Sequence, residues 1–201
     1  MNPLALRVSM SCIVPPLWTA LLAGSLIAVP PLPAGASPRS DQASRERASP
    51  AKEAFERLKA FHGSWVGKST RGWEEVITFK TIAQGSAVHE SSFDAHPNET
   101  MATMYYLDGD RLLLTHYCVS QTQPRLRAEA FEEGGRRVTF VFVDGGNMES
   151  RDKGHMDKVV IRFIDDDHFT AQWTWYQNGK ERWLEEVRYE RSPSRSAGPP
   201  K

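Results

Sequence analysis

The groups in this chain that could do chemistry are six histidines, a cysteine beside one of them, and several paired carboxylates. The histidines are His62, His89, His96, His116, His155 and His168, and no two share the short spacing of a helical metal motif. Neighbouring strands can bring His89, His116 and His155 together with Glu90, but zinc needs three or four such ligands converging within bonding distance. Scattered strand and surface histidines are the favoured reading, and no metal site is assigned. Cys118 lies two residues from His116, on the same face if the segment is a strand. A Cys–His dyad also needs access and a third, orienting group, and no such group is marked. A buried, inert Cys118 is therefore favoured. The pairs Glu74-Glu75, Glu132-Glu133 and Glu185-Glu186 are adjacent in strand-like segments, so their members point to opposite faces and do not form local acid/base couples. Asp165-Asp166-Asp167 reads as a turn, of a kind that binds calcium weakly at most. No Gly-x-Ser-x-Gly elbow is present, no catalytic residue is assigned, and nothing here requires an enzyme.

Positioning any of these groups takes a fold, and the ends of the chain bound where it lies. Arg7 is the only charged side chain before Arg39, Ile13 to Val29 is largely apolar, and Ala34-Gly35-Ala36 supplies small residues for cleavage. Residues 1–36 read as a secretory signal, which implies a periplasmic or secreted protein. An uncleaved anchor is the alternative, but Pro15-Pro16 and Pro30-Pro31 interrupt the apolar run. No stable membrane insertion is expected after cleavage. The chain carries 25 basic and 25 acidic residues, and cleavage removes only Arg7, so the mature charge is close to balanced. Nucleic acid is a poor partner for such a surface. Cleavage also removes Cys12, so Cys118 has no internal disulfide partner and stability must come from an apolar core. Residues 37–49 and 192–201 are polar and aperiodic and read as a flexible linker and tail. Residues 50–191 make one domain.

Within that domain Ser49-Pro50 is a helix start, with Ser as N-cap and Pro at the first helical position. Ala54, Phe55, Leu58 and Phe61 share one face, and Gly63 ends the helix. The period then changes to two. Strands are predicted over 64–71, 73–82, 86–93, 100–107, 111–119, 125–132, 136–143, 156–164, 168–176 and 181–190. Asp108-Gly109 and Asn178-Gly179 are hairpin turns, and Gly134-Gly135 and Gly145-Gly146 mark two more. About ten antiparallel strands joined by hairpins favour closure into an up-and-down barrel, with the helix at one mouth. A two-residue loop at Asn178-Gly179 pairs Trp175 with Arg182, Trp173 with Leu184, Ala171 with Glu186 and Phe169 with Arg188. That face is the better interior candidate, and it would place Glu186 and Arg188 inside. At Asp108-Gly109 the same exercise pairs Tyr105 with Leu112, Thr103 with Leu114 and Met101 with His116. The Leu112/Leu114/His116 face, which also carries Cys118, is taken as interior.

Gly63-Ser64-Trp65-Val66-Gly67 after a short helix, the meander of strands and an arginine in the last strand together resemble the calycin superfamily. Within it the chain resembles lipocalin-like exported bacterial proteins and, more distantly, nitrobindins. The run from Met104 to Cys118, Gln123-Pro124-Arg125 and Trp173-Thr174-Trp175-Tyr176 look like signatures of that group. The resemblance spans about residues 52–191. It implies that Trp65 closes the barrel floor with Arg188 packed over it, both structural. Nitrobindins hold haem through a histidine near the C-terminal end of the barrel. Here no histidine follows His168, and Lys68-Ser69-Thr70-Arg71 replaces the glycine-rich continuation of the nitrobindin opening. No cofactor is expected on that ground, with haem on His116 or His168 as the alternative.

A barrel of about ten strands is wide enough that its own side chains do not have to fill it. Trp73, Phe79, Phe93, Tyr105, Phe140, Phe142, Phe163, Trp173 and Trp175 can line the interior. The expected function is therefore non-catalytic binding of a small, mainly apolar molecule, with His116, Arg127, Glu90, Trp173 and Glu186 as contacts. The alternatives are a haem-binding barrel with isomerase or NO-related activity, and a periplasmic protein-interaction module using outward-facing Trp183 and Tyr189.

Overall fold

The computed structural model describes residues 49–96 and 99–193, with the side chains of 93–99, Trp183 and Leu184 excepted. The signal segment, nearly all of the linker, the end of the tail and the roles expected for the Phe93, Trp183 and Leu184 side chains lie outside the described residues.

Helix α1 spans Pro50–Ala60. Ser49 caps it, its hydroxyl accepting from the Lys52 N–H at 3.3 Å, and Pro50 occupies the first position, where no N–H is needed. Ala51, Ala54, Phe55 and Leu58 form its buried face. Gly63, at φ 118°, takes a backbone conformation that a side chain disfavours, and the chain turns there into the first strand.

Ten strands follow: β1 Gly63–Ser69, β2 Glu74–Ile82, β3 Ala87–His96, β4 Glu99–Asp108, β5 Arg111–Tyr117, β6 Gln123–Glu132, β7 Arg137–Gly146, β8 His155–Phe163, β9 His168–Gln177 and β10 Lys180–Arg191. Each pairs antiparallel with its chain neighbours, and β1 pairs with β10 to close the barrel. The closed antiparallel barrel with one preceding helix agrees with the reading of the sequence, and closure leaves no unpaired edge. No helix among the described residues is long and apolar enough to cross a membrane.

Two registers differ from expectation, for different reasons. In the β4–β5 hairpin Asp108 pairs with Arg111, so the turn is Gly109-Asp110 rather than Asp108-Gly109. Asp108 and Arg111 also form an ion pair across the turn, and Gly109 alone of these four takes positive φ. Tyr105 therefore faces Leu114, and Thr103 faces His116. The displacement is two residues, which preserves the facing of every side chain. Leu112, Leu114 and His116 do point inward, as expected.

The β9–β10 hairpin starts as expected, with Asn178 and Gly179 both at positive φ and Gln177 facing Lys180. The register then shifts between Glu181 and Trp183. One extra residue moves all that follows by one place, which exchanges inside and outside. Glu185 faces Trp173, Val187 faces Ala171 and Tyr189 faces Phe169. Glu186 and Arg188, expected inside, instead form an ion pair on the outer wall, with Arg188 74% exposed.

The barrel is filled from one end. α1 packs against β2, β4, β5 and β6. Phe61, just past the helix, is a hub, its ring lying 5.0 Å from Trp65, 5.3 Å from Phe79, 5.2 Å from Phe163 and 4.2 Å from Phe169. Phe169 in turn stacks on Tyr189 at 4.4 Å. Trp65 is fully buried, and its indole N–H donates to the Phe61 carbonyl at 2.7 Å. The cation over Trp65 is Arg191, 4.2 Å from the ring centroid, and not Arg188. Arg191 also donates to the carbonyls of Ala60, His62 and Asp166 and to the Asp167 carboxylate. The Trp–Arg closure implied by the resemblance is thus formed, with the arginine three residues further along.

Candidate functional site

At the end of the barrel away from α1 the side chains stop short of filling the interior. A cavity of about 280 Å³ remains, at the level of the first residues of β2, β4 and β8 and the last of β3, β5 and β9. A larger depression beside His168 and Arg188 is a groove on the outer wall rather than part of the interior.

Strand alternation decides what meets in the cavity. In β2 Glu75, Ile77 and Phe79 point inward; the two apolar residues join the core, while Glu75 stands beyond them in the hollow half. Glu90 and Ser92 arrive from β3, Met101 and Thr103 from β4, and His116 from β5. The shifted register of β10 adds Glu185, Val187 and Tyr189. Three glutamates from remote parts of the sequence therefore line one cavity. The members of Glu74-Glu75 and of Glu185-Glu186 do point opposite ways, as expected. What the spacing hid is that one member of each pair enters the same cavity, from the two strands that flank β1.

Neutral donors hold all three carboxylates. Glu75 accepts from the Ser92 and Tyr189 hydroxyls. Glu90 accepts from the Tyr105 hydroxyl at 2.6 Å. Glu185 accepts from the Ser69 hydroxyl at 2.9 Å and from the Trp73 indole. Burial pushes the Glu90 pKa up to about 7, with the nearby charge of Glu75 adding to the rise and the Tyr105 bond opposing it. Glu90 keeps some accessible surface because it borders the cavity; the barrel encloses the rest of it. Burial also raises Glu185, offset by its two hydrogen bonds and by the charge of Arg71. The Tyr105 and Tyr189 hydroxyls are held well above their usual range, first by burial and then by the adjacent carboxylates.

His116 is 5% exposed. Its Nδ1 lies 3.0 Å from the Thr103 hydroxyl, and its ring sits 5.0 Å from Trp173. Its Nε2 is buried and has no hydrogen-bond partner. Burial lowers its pKa to about 4, so the ring is neutral at ordinary pH. Cys118 is half-buried and lines the cavity wall rather than sitting inert in the core. Among the described residues it makes no hydrogen bond with His116, and the third group of a dyad is not present.

Of the expected contacts, His116, Glu90 and Trp173 line the cavity. Arg127 does not. Its neighbour Leu126 is fully buried, so alternation sends Arg127 outward, where it pairs with Glu129. Glu186 is outside for the register reason given above. Tyr189, proposed for an outer interaction surface, points inward and is 5% exposed. Trp73 and Trp175 line the cavity too, as the aromatic reading expected, whereas Glu75, Glu185, Ser92, Thr103 and Tyr189 were not anticipated there. The zinc alternative is not assembled: among the described residues no three histidine, cysteine or carboxylate side chains are grouped to hold a metal. His155 is instead fully buried, with its nitrogens against the Lys153 carbonyl at 2.6 Å and Asp157 at 3.2 Å.

No protein-family profile matches the chain, and no curated protein matches it. Among solved structures it is similar to the crystal structure of Rv2717c from M. tuberculosis, with 13% identity and a TM-score of 0.47 over 70% of this chain and 98% of that one. A likeness that distant carries nothing about function.

Proposed function

We propose that this is an exported barrel that binds a small molecule in the hollow end of its interior and does no chemistry on it. The observation that carries the reading is the buried, unpartnered Nε2 of His116 beside a void. A buried polar atom without a partner is costly, and a ligand reaching it would remove that cost. The walls supply what small-molecule sites usually have: Trp73, Trp173, Trp175, Met101 and Met156 for apolar surface, and a few convergent polar groups for orientation. The volume corresponds to roughly nine waters at ~30 Å³ each, which suits a ligand of about that many non-hydrogen atoms.

Size weighs against the haem alternative. His116 does present a nitrogen without a hydrogen-bond partner, as an axial ligand would, but a porphyrin is larger than this cavity. Native mass spectrometry of the protein purified from its own host tests the reading. A small bound mass is expected. A chain that arrives empty, and whose melting temperature and tryptophan emission no small molecule alters, refutes it.

A further inference from the structure

The cavity wall is chemically divided. Going round the barrel, Glu185 on β10, Glu75 on β2, Glu90 and Ser92 on β3, Thr103 on β4 and His116 on β5 gather the polar groups on one side, with Trp73, Met101 and Val187 among them and Ser69 on β1 bonded to Glu185. The opposite arc carries Met156 on β8 and Trp173 and Trp175 on β9. The polar arc is acidic. Among the described lining residues there is no lysine or arginine, and His116 is uncharged at ordinary pH. Arg71 acts on the charge of Glu185, so that carboxylate is partly balanced. Glu75 and Glu90 have no salt bridge among the described residues, and the groups that hydrogen-bond them are the neutral hydroxyls of Ser92, Tyr189 and Tyr105. Buried carboxylates are ordinarily met by a positive charge. Here the fold leaves that charge to something else, and it leaves a cavity beside them. The second sign of a ligand is independent of the acids: His116, whose Nε2 is buried and has no hydrogen-bond partner, lines the same space.

Resting on the small-molecule reading above, we propose that the ligand is an organic cation, a protonated amine with a compact hydrocarbon or aromatic body. Its ammonium donates to Glu75 and Glu90, its body lies against Trp173 and Trp175, and a polar group on it reaches His116. The aromatic arc supports the cation as well as the hydrocarbon, because indole faces attract positive charge. An N–H-bearing ammonium is favoured over a quaternary one because carboxylate oxygens are acceptors, and lone pairs remain on Glu75 and Glu90 beyond those the hydroxyls occupy. A carboxylate ligand of the same size is excluded by like charge.

Three probes of nearly equal shape separate the possibilities: 2-phenylethylamine, 2-phenylethanol and 3-phenylpropionate. Each is titrated by calorimetry at low salt and about pH 8, where Glu90, with a pKa of about 7, is ionised. The amine is expected to bind at least about tenfold tighter than the alcohol, and the acid not to bind. If the alcohol or the acid matches or exceeds the amine, the cation assignment is overturned while the small-molecule site stands. If none of the three binds at millimolar concentration, both fall. Glu75→Gln and Glu90→Gln keep the shape of each site and are expected to weaken the amine about tenfold each and the alcohol by clearly less. Variants that bind the amine as wild type does would also overturn the assignment. The wild-type comparison stands even if a variant does not fold.

Discussion

Glu90→Gln also tests the electrostatics of the empty barrel, without any ligand. In the folded protein Glu90 titrates near 7, against 4.5 for an ordinary glutamate. The sign follows from proton counts. Below pH 4.5 both states hold the proton and Glu90 contributes nothing to the pH dependence. Between 4.5 and 7 the unfolded chain has released it and the native chain has not, so stability falls as pH rises. Above 7 the loss is complete. A difference of 2.5 pKa units at ~1.4 kcal/mol each corresponds to about 3 kcal/mol, and water in the cavity lowers this toward about 2 kcal/mol. Gln accepts the Tyr105 hydroxyl bond as Glu does but never ionises. The stability of the variant minus that of wild type should therefore climb by about 2–3 kcal/mol from pH 4 to pH 8. His116 titrates in the opposite sense: its pKa is depressed, so stability is lost as pH falls from 6.5 through 4. That contribution is common to both proteins and drops out of the difference. Urea unfolding followed by tryptophan emission, run in pairs at several pH values, measures the curve. A difference that is flat with pH would show that Glu90 is solvated like a surface residue, and the desolvated acidic wall would go with it.

Two further outcomes test the filled end of the barrel. A Cβ at Gly67 would stand 2.5 Å from the Tyr189 ring and 2.9 Å from Val187. Tyr189 is pinned by Phe169 and Glu75, so Gly67→Ala should lower stability by roughly 1–3 kcal/mol in chemical denaturation. Arg191→Ala removes the cation over Trp65 and its carbonyl bonds, and should cost roughly 2–4 kcal/mol. Arg188→Ala should stay within about 0.5 kcal/mol. Equal melting temperatures for the two alanine variants would refute the assignment of Arg191 to Trp65.

The strands were legible because turn residues punctuate them and because apolar residues recur at a period of two in most of them. The helix was legible because Ser49, Pro50 and Gly63 mark its limits. His116 was taken as inward because it shares a face with Leu112 and Leu114, and that shared face survives the two-residue displacement at Gly109-Asp110. The facing of Glu186 and Arg188 did not follow, because the irregularity between Glu181 and Trp183 has no residue signature: Lys180-Glu181-Arg182-Trp183 contains no glycine, proline or asparagine to announce it. Glu75 was readable in principle, since it alternates with Ile77 and Phe79 in one apolar stripe. It was passed over because adjacent carboxylates invite a local comparison, whereas the encounter of Glu75, Glu90 and Glu185 belongs to barrel closure. Arg127 sits beside Leu126 in a segment with apolar and polar residues on both parities, and only pairing settled its direction.

The division of the barrel into a solid half and a hollow half separates two roles. Aromatic rings around Phe61 and Trp65 pack one pole densely, while the opposite pole near Glu75 and Trp175 leaves space. Under the binding reading proposed above, substitutions near Glu75 and Trp175 change what the hollow accepts while the packed aromatic pole keeps the barrel closed.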